Sequence, residues 1–414
     1  MHGTARIIYK HSERRAVLVL EFPEEKKQYL NRKNLTFFFL GVFLVYVVFF
    51  TSLTVLPLYV LELGGTEYHS GLQSTLFFLA AVFLRLHFGP MADNKGRKIP
   101  LLIGTFAFFT SALLYIMADS ILVIMLIRIY EAVGLAAFLS SASSFVADIA
   151  PKGKLGRYMS FHRFTITVAL LAGPSSALFI INMHSFTTWF GINFALGLFA
   201  LGILGLVKVQ PLNVGRKFSS RELMLYVLKD NRLWPIFLGM LLLSFCYGIL
   251  FTFVSIYITQ VTGISNPGIY FVYYSMAGLL ANFSAGYLSD RFGRLAVSLP
   301  LVMLMGLGLA VLYFLPGRPE ILIISSVMTG LGYFGGILSL IAWLIEVSDL
   351  EVRGTVLSVQ ESSMDLAIAA GAFIVGSAST WIGLPVSFIV VGLAIFCLVP
   401  LLAYKKKELL KSLF

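Results

Sequence analysis

Charge is scarce in this chain. Only 12% of its 414 residues are charged, against 58% hydrophobic, and the mean hydropathy is +0.89. Water-soluble domains carry roughly 25% charged residues. A surface this poor in charge excludes a water-soluble globule and makes lipid the solvent. Cysteine is also sparse: Cys246 and Cys397 both fall in apolar segments, where they read as small core residues, with a disulfide between them the less favoured alternative. Six scattered histidines and these two cysteines compose neither a metal cluster nor a nucleophile–base constellation, so no metal, no cofactor and no enzymatic activity is expected. A phosphate-cradling Gly-x-x-x-x-Gly-Lys-Ser/Thr loop is missing, which argues against ATP drive. No cleavable signal peptide is visible, because Arg14-Arg15 leads only into the short run Ala16–Leu20 before Glu21, Pro23, Glu24 and Glu25 intervene.

What charge there is sits in a pattern. The chain carries +11 net, and of its 31 Lys and Arg all but three fall in the N-terminal arm, alternate loops with the span ends beside them, and the C-terminal tail. The exceptions are Arg85 and Arg128, inside apolar runs, and Arg318 in an opposite-side loop. Basic residues concentrate in cytoplasmic loops of membrane proteins, so both termini are expected in the cytoplasm. The positive charge reports topology, and no nucleic-acid partner is implied.

A spanning helix needs ~20 apolar residues. Runs of that length occur at 36–61, 69–91, 99–117, 120–147, 159–182 and 186–208, then at 233–259, 266–288, 295–315, 320–346, 355–379 and 384–404. The expected fold is therefore all-α and integral to the membrane, with twelve spans in two six-helix halves. The divisions are a cytoplasmic arm (1–34), an N-terminal half (35–208), a central cytoplasmic loop (209–232), a C-terminal half (233–404) and a tail (405–414). The arm could hold a short amphipathic element, and Ser219-Ser220-Arg221-Glu222 in the central loop looks like a helix start. The outward loops are short, so function must lie between helices. Gly330, Gly332, Gly335 and Gly336 in the tenth span, with Gly278, Ala281, Ala285 and Gly286 in the eighth, permit close helix approach.

One charged loop occurs twice. Gly89-Pro-Met-Ala-Asp93-Asn-Lys-Gly96-Arg97-Lys98 returns half a chain later, in register, as Gly286-Tyr-Leu-Ser-Asp290-Arg-Phe-Gly293-Arg294. Each copy separates two apolar runs, which indicates duplication. At these residues the chain resembles the major facilitator superfamily of secondary transporters over about residues 35–405. The resemblance implies a cytoplasmic latch that holds the halves together in the outward-open state. Asp93 would dock on the start of the eleventh span and Arg97 would pair with Asp148. Asp290, Arg294 and Asp349 would form the weaker second set, with Glu346 competing for the place of Asp349. The alternative is a loop of solvated charges that only sets topology.

Arg128-Ile-Tyr-Glu131-Ala132-Val-Gly134 in the fourth span resembles the family's Arg-x-x-x-Gly-x-Gly element, with Ala132 in place of the first glycine. Arg128 should lie ~12 Å deep, where a charge needs a partner or water, and Glu131 is one turn away. Proton coupling and a self-contained ion pair are the two readings. Gly173-Pro174 in the fifth span resembles part of an exporter element, and Pro174 would kink that helix. Glu361 and Asp365 share one face of the eleventh span, with Asp365 near the midplane as the leading proton carrier. The alternative is a neutral Asp365 hydrogen-bonded to a neighbouring helix. Arg85 and His87, near the end of the second span, read as snorkelling to the interface, and His162 and Arg163 as lying at a helix entrance. Tyr270, Tyr273 and Tyr274 read as packing.

The resemblance implies a transporter of the cell membrane working by alternating access, most simply proton-coupled efflux of a small organic molecule. An uptake symporter or uniporter of a small solute is the alternative, and a non-transporting sensor or scaffold of the same fold a distant one. The expected partners are a small-molecule substrate, protons and the bilayer, with the chain acting as a monomer.

Overall fold

The computed structural model describes residues 5–9, 16–20, 32–150, 154–208, 227, 230, 232–348 and 353–411, with side chains from residue 33 onward except 93–95, 155, 353–354 and 401–411. Among the described residues, ten helices are long and apolar enough to cross a membrane. The first six are α1 (Arg32–Glu62), α2 (Glu67–Lys95), α3 (Lys98–Ile116), α4 (Ile121–Ile149), α5 (Leu155–Met183) and α6 (Phe186–Leu206). The second set begins with α7 (Trp234–Val261), α8 (Ile269–Phe292), α9 (Arg294–Val311) and α10 (Glu320–Val347). A final helical stretch, Arg353–Lys411, is broken at Gly383, whose φ of 75° is left-handed, so it counts as α11 (353–382) and α12 (384–411). Counted at this break and with α8, whose Asn282, Ser284, Ser289, Asp290 and Arg291 dilute its apolar character, the helices number twelve. The expected helix in the central loop and Asp349 both lie outside the described residues. In the arm the structure places a two-stranded antiparallel hairpin, Ala5–Tyr9 with Ala16–Leu20, where a short amphipathic element was expected.

Large apolar side chains face outward along these helices, among them Phe83, Leu86, Leu122 and Phe283, as a lipid-facing surface requires. α1 and α7 are the most enclosed of the spanning helices. Close packing explains the glycines of α10. A Cβ on Gly330 would stand 2.2 Å from the Tyr274 carbonyl oxygen and one on Gly332 2.6 Å from Met305 N, contacts within the second set of six helices. Cys246 is buried and Cys397 exposed, and both are free thiols. Ahead of α7, Asp230 accepts hydrogen bonds from the Arg232 guanidinium (Nη2, 2.8 Å) and backbone N–H (2.9 Å), which hold its carboxyl below the usual range.

Two seams join the halves. At the end of the bundle opposite the duplicated loops both are closed. On one side α2 meets α11 so tightly that a Cβ on Gly71 would lie 2.4 Å from the Ala372 carbonyl oxygen. Thr75 Oγ1 donates to Ala369 O (3.1 Å), Thr252 to Ser74 (3.1 Å) and Gln260 to Glu67 (2.8 Å). On the other side the segment before α8 rests on α5, where Asn266 Nδ2 donates to Ser175 O at 3.1 Å. At the loop end the seams differ. The α2–α11 side stays joined through Arg85, whereas α5 and α8 flank a cavity of about 1050 Å³.

Candidate functional site

Arg85 is the centre of a triad that spans the halves. It projects from α2 with only 11% of its side chain exposed. Nη1 lies 3.2 Å from Glu361 Oε2, and Nη2 2.9 Å from Asp365 Oδ2 in an ion pair whose angle falls short of an aligned hydrogen bond. Asp365 is buried, while Glu361, a turn nearer the loop end, is 44% exposed on its side chain. The snorkelling expected of Arg85 is therefore corrected. Two carboxylates four residues apart on α11 present a bidentate target, and the deep one gains a partner that the sequence did not supply. The group that Asp365 meets on the neighbouring helix is the Arg85 guanidinium.

The fourth span forms a second, separate cluster within the first half. Arg128 and Glu131 are 0% and 1% exposed and 2.6 Å apart (Nη1 to Oε2). Ser52 of α1 donates to Glu131 Oε1 at 2.6 Å and accepts from Arg128 Nη1 at 3.0 Å. Tyr115 of α3 donates to Glu131 Oε2 at 2.7 Å, and the guanidinium carbon lies 3.8 Å above the Phe77 ring. Both carboxylate oxygens are thus satisfied, and the arginine gains a cation–π contact. Beside the pair is a pocket of about 10 Å³, on the scale of one water. Just beyond it α4 passes through a π-helical turn, Leu135–Leu139, before reaching Asp148.

The duplicated loops repeat in detail. Gly96 and Gly293 adopt φ of 86° and 94° with extended ψ, a conformation costly for any residue with a Cβ. Arg97 Nε lies 3.4 Å from Asp148 at the end of α4, and Arg294 Nη2 lies 2.5 Å from Glu346 at the end of α10. Glu346 therefore occupies the position considered for Asp349, and Arg294 also contacts Asp290 and Ser289. Lys98 donates to the Gly205 and Val207 carbonyls (2.8 and 2.7 Å), where the end of α6 leaves backbone acceptors free. Gly89 and Gly286 have no neighbour closer than 4.0 Å to an added Cβ, so close approach does not explain them. The Asp93 side chain lies outside the described residues.

Between these clusters the halves meet on aromatic rings. Phe50 of α1 meets Phe251 of α7 across the halves at a centroid separation of 6.4 Å. Tyr46 packs on Phe50 within α1 (6.0 Å), and Tyr247, Tyr274 and Tyr333 surround Phe251 within the second half, the tightest pair being Tyr247–Phe251 at 4.1 Å. Tyr270 is instead tied into the second half through Ser325 and Thr329. His162 is buried with Nε2 at 3.5 Å from the Tyr46 hydroxyl, and Arg163, in the loop-end part of α5, lines the large cavity. Pro174 lies inside α5, and Gly173 lets it approach Thr51 and Val47 of α1. The partners of Ser52, Tyr115 and Tyr46 were not legible in the sequence, because nothing in a polar residue on an apolar run marks its partner.

The sequence profile of the Major Facilitator Superfamily matches residues 38–284 and again 267–412. The multidrug resistance protein MdtG of Klebsiella pneumoniae is 27% identical over 384 residues, covering 87% of this chain and 90% of that protein. An uncharacterized MFS-type transporter of Bacillus subtilis, YtbD, is 24% identical over 81% of this chain and 85% of its own length. MJ1560 of Methanocaldococcus jannaschii, also an uncharacterized MFS-type transporter, is 27% identical over 42% of this chain and 46% of its own. Among solved structures, the nucleoside transporter NupG superposes with a TM-score of 0.72 at 14% identity, over 92% of this chain and 100% of that one. A POT family transporter gives 0.76 at 12%, over 92% and 99%. These relatives are transporters, not enzymes. With twelve helices, a duplicated loop and a family profile that matches both halves, the chain belongs to the Major Facilitator Superfamily and is a membrane transporter.

Proposed function

We propose that the protein exports a small organic molecule in exchange for protons, from the cell membrane and with both termini in the cytoplasm. The observation that carries this reading is the Arg85–Asp365 pair at 2.9 Å across the α2–α11 seam. A proton on Asp365 removes the charge that holds Arg85, so proton binding and the contact between the halves become alternatives. The same two helices meet at Gly71 and Ala372 near the opposite end, so loosening one contact bears on the other. Removing a partner from a buried ion pair leaves an uncompensated charge, which gives protonation the leverage to shift one state toward another. An aromatic centre suits substrates with apolar or ring-bearing parts. The multidrug resistance proteins among the relatives favour efflux over uptake.

Inside-out vesicles containing the protein, given a compound panel with and without an acid lumen, test the reading. An acid lumen should drive accumulation of at least one compound as protons flow out. Accumulation indifferent to the gradient, or driven only by the opposite gradient, overturns proton-coupled efflux in favour of a uniporter or a symporter.

A further inference from the structure

The 1050 Å³ cavity holds chemistry that neither cluster of buried charges accounts for. One wall is the loop end of α5, with Arg157, Phe161, Arg163 and Phe164, and the facing wall is α8, with Leu279, Asn282 and Phe283. Phe161, Phe164 and Phe283 are exposed, so the cleft is open to the bilayer. Among the described residues Arg157 and Arg163 form no ion pair and the Asn282 side chain makes no hydrogen bond. Arg163 lies eight residues into α5, ~12 Å along it, within electrostatic reach of Tyr46, Tyr333 and Glu361. A cation at that depth with no ion pair among the described residues calls for an anion or water. The opposite seam, α2–α11, is held by Arg85, whereas the α5–α8 side opens laterally.

We propose that the α5–α8 cleft is a side entrance admitting an anionic amphiphile from the leaflet at the loop end. Its head is drawn to Arg157 and then Arg163, and its chain lies on Phe161, Phe164 and Phe283. The proposal rests on the efflux reading and deepens it by naming the substrate class. Arg157 sits at the start of the span and Arg163 six residues, ~9 Å, deeper, so the two cations form a path from the membrane surface toward the aromatic centre. Asn282 supplies a donor on the opposite wall.

The test uses the full chain in nanodiscs of zwitterionic lipid, with dodecyl phosphate at submicellar concentration as probe. Dodecylphosphocholine and inorganic phosphate serve as comparators. Dodecyl phosphate should bind better than either, and Arg163→Gln should weaken it roughly tenfold or more by removing a charged hydrogen-bond donor. Arg157→Gln and Asn282→Leu, nearer the lip, serve if Arg163→Gln does not fold, and each should weaken binding in the same direction. Equal binding of dodecylphosphocholine, or affinity untouched by these substitutions, overturns the proposal. Dodecyl phosphate held through Arg163 but not moved, while a panel compound is moved, also overturns it, because the cleft is then a resident-lipid site. Specific binding with no gradient-driven transport of any compound sinks the efflux reading and leaves the amphiphile site standing.

Discussion

Arg85 of α2 reaches across the seam between the halves and holds Asp365 of α11 at 2.9 Å, with Glu361 at 3.2 Å on its other nitrogen. Fourteen positions back along α2, Gly71 meets the backbone of the same α11 at Ala372. One pair of helices thus carries a chemical contact toward the loop end and a purely steric one toward the other. The proposed proton carrier and this steric contact therefore lie on the same two helices.

The steric contact predicts its own disruption. Gly71→Ala places a methyl 2.4 Å from the Ala372 carbonyl oxygen, a distance that no real Cβ contact tolerates. The end opposite the duplicated loops should then fail to close fully. A cysteine at Ser74, buried on the same seam, should react with an impermeant thiol reagent roughly tenfold faster in that background, a shift of about 1.4 kcal/mol. Unchanged reactivity would remove Gly71 from the gate.

The Arg128–Glu131 pair is buried on all sides, so breaking it is costly. Arg128→Met should destabilise the purified protein by about 3–5 kcal/mol, read as a fall in thermal midpoint, because Glu131 keeps a charge without its cation. Arg128→Met combined with Glu131→Gln should recover part of that loss. Glu131→Gln alone should leave transport partly impaired. A single variant as stable as the wild type would show the pair to be hydrated rather than dry.

Topology follows from charge alone. Cysteines placed at Ser219 and Lys406 should be shielded from impermeant reagents in intact cells, while those at Thr66 or Asn266 should be labelled. Labelling at Lys406 without permeabilisation would contradict termini in the cytoplasm.

The spans and the repeated loop were legible because each is a local pattern: a run of apolar residues, or a Gly-x-x-x-Asp-x-x-Gly-Arg spacing that occurs twice. Positive φ at Gly96 and Gly293 is the direct counterpart of that reading. The partner of Arg85 was not legible, since Glu361 lies 276 residues away and no local rule couples them. Near a helix end an arginine can snorkel or pair, and only the approach of α11 decides which. That Arg163 lines a cavity was not legible for the same reason, since the facing wall is α8. Glu346 and Asp349 flank the end of α10, and a difference of three residues along a helix was too fine to resolve without the direction of Arg294. The halves themselves announce their duplication, while the contacts between them are the part that sequence alone conceals.

Transport driven by a pH gradient in sealed vesicles, compared between the wild type and Asp365→Asn, tests the central claim most directly. The substitution keeps the shape of the side chain and removes the titrating charge from the Arg85 pair. Asp365→Asn should lose uphill, gradient-driven accumulation while retaining substrate binding or downhill exchange. A variant that still accumulates substrate at the wild-type rate under the same gradient would contradict the claim and move the coupling role to Glu361 or Glu131.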